Sequence, residues 1–159
     1  MMGHGSNGVA HRKRLRQVPQ LHSSGKEMIR IPKLIYLKMV EHAKRACPLE
    51  CCGILGGKDH AVEKAFELQN VDQSSVRYSM APQEQLKVFE EMEKGAMEMM
   101  AIYHSHTHTI PFPSETDVKL AFYPEVSSII ISLKEKHPVV KAFRIGREAI
   151  YLEEIEVIP

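Results

Sequence analysis

His104-Ser105-His106-Thr107-His108-Thr109-Ile110-Pro111-Phe112-Pro113-Ser114-Glu115-Thr116-Asp117 is the stretch that decides how this chain is read. It follows Met99 to Tyr103, an apolar run of strand character. Side chains on an extended segment alternate between faces, so His104 and His106, at i and i+2, point the same way. Seven residues later, Ser114-Glu115-Thr116-Asp117 has the spacing of a helix N-cap and its N3 position, with Val118, Leu120, Ala121 and Phe122 following as apolar helix positions. Asp117 thus offers a carboxylate from a first helical turn. Two imidazoles and one carboxylate are the ligand count of a catalytic zinc site, with the fourth tetrahedral position left for water. Histidine pairs also occur as surface features or satisfied core groups. With this chain's composition, however, His-x-His-x7-Ser-x2-Asp arises by chance on the order of once in a thousand such chains, which favours a metal.

The flanking sequence reads as one mixed α/β (α+β) domain without internal repeats. After Pro32, Leu34, Leu37, Met39, Val40 and Ala43 recur at near-helical spacing, which predicts a helix from Lys33 to Ala46, stopped by Pro48. Cys51 to Leu55, closed by Gly56 and Gly57, and His60 to Leu68 predict two strands joined by a Gly-Lys-Asp turn. Pro82 to Met97 predicts a second helix with Leu86, Phe89, Met92 and Met97 as its buried stripe. Val126 to Leu133, Val139 to Ile145 and Ala149 to Val157 are rich in β-branched residues and predict successive strands. Residues 1–27 carry Gly, Ser, His and basic side chains, no acid before Glu27 and no apolar period. They read as a disordered basic tail, and the folded domain spans 28–159. A nucleic-acid-binding arm has the same composition; a mobile tail is the simpler reading.

Composition excludes more than it assigns. Of 159 residues 43% are hydrophobic, enough for a substantial core, which argues against a disordered protein. Twenty-one basic and 20 acidic side chains leave a net charge of +1, so nothing global points to nucleic acid or an anionic membrane. No run of about 18 apolar residues exists to span a bilayer, and no secretory signal opens the chain. Cys47, Cys51 and Cys52 lie within six residues and form no disulfide framework. A soluble protein of the reducing cytoplasm is expected. Cys51 and Cys52, in an apolar run, read as small buried hydrophobes rather than metal ligands.

At these residues the chain resembles the JAMM (MPN+) zinc metalloproteases, whose motif is an upstream Glu followed by His-Ser/Thr-His-x7-Ser-x2-Asp. The motif is matched here without a gap. Pro48-Leu49-Glu50-Cys51-Cys52-Gly53-Ile54-Leu55-Gly56 looks like the family's Glu-x-Cys-Gly-x-Leu stretch. The resemblance covers about Ile29 to Val157 and implies a single MPN/JAMM-like domain of the compact prokaryotic type, with a central, mostly antiparallel or mixed sheet flanked by helices. It implies one Zn2+ per chain on His104, His106 and Asp117, Glu50 as general base, and Ser114 as a donor to the oxyanion. It also implies cleavage after the C-terminal Gly-Gly of a ubiquitin-like, sulfur-carrier-type protein. Thr107 departs from the family, where many relatives carry Pro, and is expected to loosen that turn. His108 is an extra imidazole, read as facing solvent or supporting the site, since a fourth protein ligand would close it. Ser105 reads as orienting backbone or water, or as a small spacer.

Other zinc classes fail on spacing: there is no His-Glu-x-x-His, and no Cys-x-x-Cys accompanies a His-x-Glu. The alternative of another class is a noncatalytic MPN-type scaffold, recognised by lost metal ligands, all of which are present here. A RadC-like nucleic-acid-associated protein shares a similar metal motif but usually carries a further helical domain, for which this chain has no space. Oligomeric state is not legible.

Overall fold

The computed structural model describes residues 14–16 and 28–159. The rest of the expected tail, residues 1–13 and 17–27, lies outside the described residues. Arg14–Arg16 form a short strand, β1, parallel to the final strand. The order continues as β2 (Met28–Pro32), α1 (Lys33–Ala46), β3 (Cys52–Lys58), β4 (Ala61–Leu68), α2 (Pro82–Lys94) and β5 (Glu98–His106). Then follow α3 (Glu115–Lys119), β6 (Ser127–Ser132), β7 (Val139–Ile145) and β8 (Ala149–Ile158).

The strands form one sheet in the order β1-β8-β2-β4-β3-β5-β6-β7, and a further β7–β8 pairing closes it on itself. Pairing is mixed, as expected: β2–β4, β2–β8 and β5–β6 are parallel, whereas β3–β4, β3–β5, β6–β7 and β7–β8 are antiparallel. Closure comes from the length of β8. Its first half, from Ile150 to Glu153, pairs with β7, and its second half, from Glu154 to Ile158, pairs with β2.

Helix α1 has the expected bounds, with Lys44 and Arg45 in its last turn, where cations suit the helix dipole. Its buried face differs from the expected stripe. Ile35, Met39 and Ala43 are buried at i, i+4 and i+8, while Leu34 is 76% and Leu37 50% exposed. Leu34 and Leu37 lie off this face, so the partner selects which apolar side chains are buried. That partner is the hollow of the sheet, since α1 touches β2, β4, β5, β6 and β8. Ile35, Met39 and Ala43 share a core there with Leu55, Tyr103, Ile129 and Ile131.

Strand β3 is buried on both faces, from Cys52 through Gly57. Leu55 joins the α1 side, while Cys52 and Ile54 meet Phe66, Leu68, Val88 and Met92 under α2. Each such Ile or Leu contributes roughly 1.5–3 kcal/mol by leaving water. Cys51 and Cys52 are buried free thiols, pushed by burial up to about 11 and about 12, so both stay neutral and inert near pH 7. The β3–β4 turn centres on Asp59 and His60, both at positive φ, as a two-residue hairpin of the right twist requires. Near the start of β3, Gly53 faces Tyr103, and an added Cβ would lie 2.3 Å from the tyrosine ring. Tyr103 can therefore lie across the strand and reach His42 on α1, its hydroxyl 2.8 Å from Nδ1.

The element that matters for chemistry is β5. It lies between β3 and β6, and its last residues bring His104 opposite Cys52 and Ile130, and His106 opposite Ser132.

Candidate active site

Alternation along β5 sends Tyr103 into the α1 core and Ile102 to the other face, the face shared by His104 and His106. The two rings meet Asp117 of α3. His104 Nε2 lies 3.1 Å from His106 Nε2 and 3.1 Å from Asp117 Oδ2, and His106 Nε2 lies 3.0 Å from the same oxygen. Both histidine side chains are nearly inaccessible, and that of Asp117 is 9% exposed.

Local structure fixes each of the three. His106 Nδ1 is 2.9 Å from the carbonyl oxygen of Ile110. A carbonyl only accepts, so Nδ1 carries a proton and the ring is oriented with Nε2 facing the cluster. Asp117 is the N3 residue of a capping box: Ser114 Oγ accepts from its amide at 3.0 Å, and its Oδ2 accepts from the Ser114 amide at 2.9 Å. Burial alone would raise the Asp117 carboxyl. The two imidazoles and the Ser114 amide outweigh it and hold the group well below the usual carboxylate range. The Tyr78 ring stacks on His104, with centroids 4.6 Å apart and planes at 27°.

Three potential ligand atoms at mutual distances of 3.0–3.1 Å make a near-equilateral triangle. A tetrahedral ion with bonds of about 2.0–2.1 Å needs edges of about 3.3 Å, a difference that small side-chain shifts absorb. The donors, two imidazole nitrogens and one carboxylate oxygen, are those zinc prefers. Among the described residues this is the group of His, Cys, Asp and Glu side chains placed to hold a metal.

Glu50 sits in the short link between α1 and β3, 5% exposed, and its Oε1 has no hydrogen-bond partner among the described residues. Burial pushes its carboxyl up to about 7; the nearby His106 works downward and Asp117 upward. The backbone around it is held on both sides. Its amide donates to Ser74 O at 2.8 Å, and its carbonyl accepts from Asn70 Nδ2 at 3.0 Å. The next amide, of Cys51, donates to Ser105 Oγ at 2.8 Å, so Ser105 orients backbone.

Thr107 corrects an expectation. It is buried, and its hydroxyl donates to Ser75 O at 3.2 Å, so it ties the histidine turn to the 70–80 loop instead of loosening it. His108 is exposed and lies outside the three-residue cluster. Two neighbours of the site, Asn70 and Tyr78, were not found from sequence because they lie in a loop without periodicity. The one local signal was Asn70-Val71-Asp72, which forms the Asx turn its composition allows, with the Asp72 amide 3.1 Å from Asn70 Oδ1.

A hollow of about 290 Å³ opens beside His104 and Asp117, walled by Tyr78, Met80, Ile102, Leu120, Phe122 and Tyr123. Its lining is mainly apolar, and Phe122 and Leu120 are exposed at its rim. No helix among the described residues is long and apolar enough to cross a membrane.

The chain is similar to several known proteins. The family model for prokaryotic homologs of the JAB domain matches residues 32–146. A CysO-cysteine peptidase of Mycobacterium tuberculosis is 37% identical over 123 residues, which are 76% of this chain and 84% of the relative. A desampylase of Pyrococcus furiosus is 36% identical over 84 residues, 53% of this chain and 60% of that protein. A solution structure from Desulfitobacterium hafniense, 41% identical, superposes with a TM-score of 0.76 over 82% of this chain and 93% of the other.

Proposed function

This chain belongs to the family of prokaryotic homologs of the JAB domain and is a hydrolytic enzyme of the JAMM type, and from that premise we propose that it is a zinc peptidase of His104, His106, Asp117 and Glu50. The observation that carries the proposal is the convergence of three ligand atoms within 3.1 Å of one another near a buried glutamate with a free oxygen. A Zn2+ ion held by the three ligands would supply Lewis acidity, polarising the scissile carbonyl and lowering the pKa of a water to about 7. Glu50 Oε1 takes the proton of the attacking water and passes it to the leaving amine nitrogen. The Ser114 hydroxyl accepts from the Asp117 amide and keeps its own proton to donate to the oxyanion.

The proposed substrate is a ubiquitin-like, sulfur-carrier-type protein extended beyond its C-terminal Gly-Gly by one residue or a longer segment. Relatives named CysO-cysteine peptidase and desampylase support this class. So does the apolar hollow beside the ligands, which suits an extended tail ending at the metal. Glycines there are a steric requirement, because a side chain would keep the carbonyl away from a site framed by Tyr78, Asp117 and Glu50. The proposal carries a cytoplasmic setting, supported by the buried free thiols, and needs neither nucleic acid nor membrane.

Metal analysis of purified protein tests the reading. About one zinc per chain is expected, and strong chelators remove it together with the activity. Asp117→Ala should lose both at once. Protein without zinc, and without activity gained on zinc addition, overturns the proposal.

A further inference from the structure

Asn70 lies in the loop between β4 and α2, 8% exposed, and every polar atom of its side chain is engaged. Nδ2 donates to Glu50 O at 3.0 Å, to Arg77 O at 3.0 Å and, more weakly, to Ser74 O at 3.5 Å. Oδ1 accepts from the amides of Asp72 at 3.1 Å and Ser79 at 3.2 Å. A buried amide with five partners is unusual for a loop residue, whose side-chain bonds usually serve one local turn. Two of these partners lie on the site. The Glu50 carbonyl is one end of a clamp whose other end is the Glu50 amide, bound to Ser74 O of the same loop at 2.8 Å. Arg77 O and Ser79 N flank Tyr78, so the same side chain grips the peptide units on either side of the ring that covers His104.

We propose that Asn70 is a positioning residue that holds Glu50 and Tyr78 in register with the His104–His106–Asp117 cluster. It touches no reacting atom. It fixes the main chain of Glu50 from its carbonyl side, while the loop fixes it from the amide side. The carboxylate is otherwise free at Oε1, so its aim rests on the backbone that carries it. Misplacement of a reacting group by about 1 Å can cost about 100-fold in rate, so loss of this clamp reaches the chemistry without removing a catalytic group. The inference rests on the reading of Glu50 as the general base.

The test uses the full chain and two variants. Asn70→Asp keeps acceptors for the Asp72 and Ser79 amides but turns a second carboxylate oxygen against the carbonyls of Glu50 and Arg77. Asn70→Ser keeps a hydroxyl for the Asp72 turn and drops the reach to both carbonyls, so it serves where the aspartate variant fails to fold. Amide hydrogen exchange in the metal-free protein, zinc retention against a chelator, and kcat and KM on a Gly-Gly-extended carrier are the readouts. Exchange should be at least about tenfold faster at the Glu50 amide in both variants and at the Ser79 amide in Asn70→Ser, with kcat reduced at least about tenfold, KM changed less than about threefold, and zinc retained. In a Glu50→Gln background the same substitution should add little further loss, because it acts through Glu50. Wild-type exchange at Glu50, faster exchange with unchanged kcat, or the full loss repeated in the Glu50→Gln background overturns the positioning role. Wild-type activity in Glu50→Gln alone points instead to failure of the base assignment.

Discussion

Glu50 is a buried carboxylate whose Oε1 has no hydrogen-bond partner among the described residues, an arrangement that costs stability and makes sense where a proton must move. Glu50→Gln is expected to retain zinc and lose about 100- to 10,000-fold in peptidase rate, because an amide cannot accept the water's proton. The same variant carries a second consequence that needs no substrate. With its carboxyl raised by burial to about 7 from an ordinary 4.5, folded Glu50 binds its proton more tightly than the unfolded chain does. Its contribution to stability is therefore intact below about pH 4.5 and lost as pH rises through 7. Metal-free Glu50→Gln lacks this loss. Thermal melts should show it matching wild type near pH 4.5 and exceeding it at pH 8, by on the order of 1–2 kcal/mol once solvent screening of the carboxyl is allowed for. Equal melting of the two proteins at pH 8 would show that the buried charge is stabilised in some other way.

Helix α3, five residues long, is held mainly by its capping box, and the box doubles as the mount for Asp117. Ser114→Ala removes the acceptor of the Asp117 amide, at a cost of about 1 kcal/mol for a lost cap, but keeps the Ser114 amide on Oδ2. Zinc affinity measured by chelator competition should fall several-fold without being abolished. At saturating zinc, kcat should still fall about 100-fold if the hydroxyl serves the oxyanion; an unchanged kcat would leave Ser114 a cap alone. The sequence disclosed the start of this element, because Ser-x-x-acid and the period-two histidines are local patterns with local causes, but the helix ends at Lys119 and leaves Leu120, Ala121 and Phe122, read as helix positions, beyond it. It disclosed α1 less well. Pro32 and Pro48 marked its ends, yet Leu34 and Leu37 fitted a helical stripe as well as Ile35, Met39 and Ala43 did, and only the sheet chooses between them. Asn70 and Tyr78 left no periodic trace, since their roles come from a loop folded over the end of β5.

At the scale of the molecule, the sheet closes because β8 is long enough to border both β7 and β2, a pairing between segments more than a hundred residues apart that no local signal carries. The closed sheet gives β5 rigid neighbours on both sides, and its C-terminal end becomes a fixed platform for His104 and His106. Loops from three places then converge on it: the α1–β3 link with Glu50, the 70–80 loop with Asn70 and Tyr78, and α3 with Asp117. Between the last two lies the apolar hollow, open to solvent at Phe122. Such a hollow suits a peptide tail delivered by a folded carrier, held in part by backbone hydrogen bonds. The most direct test is the product mass when zinc-loaded protein meets a ubiquitin-like carrier extended by residues beyond its Gly-Gly. The account predicts one new species ending at Gly-Gly, absent with chelator and absent when the carrier's Gly-Gly is changed to Ala-Ala. Cleavage elsewhere in the carrier, or equal cleavage of the Ala-Ala version, would contradict it.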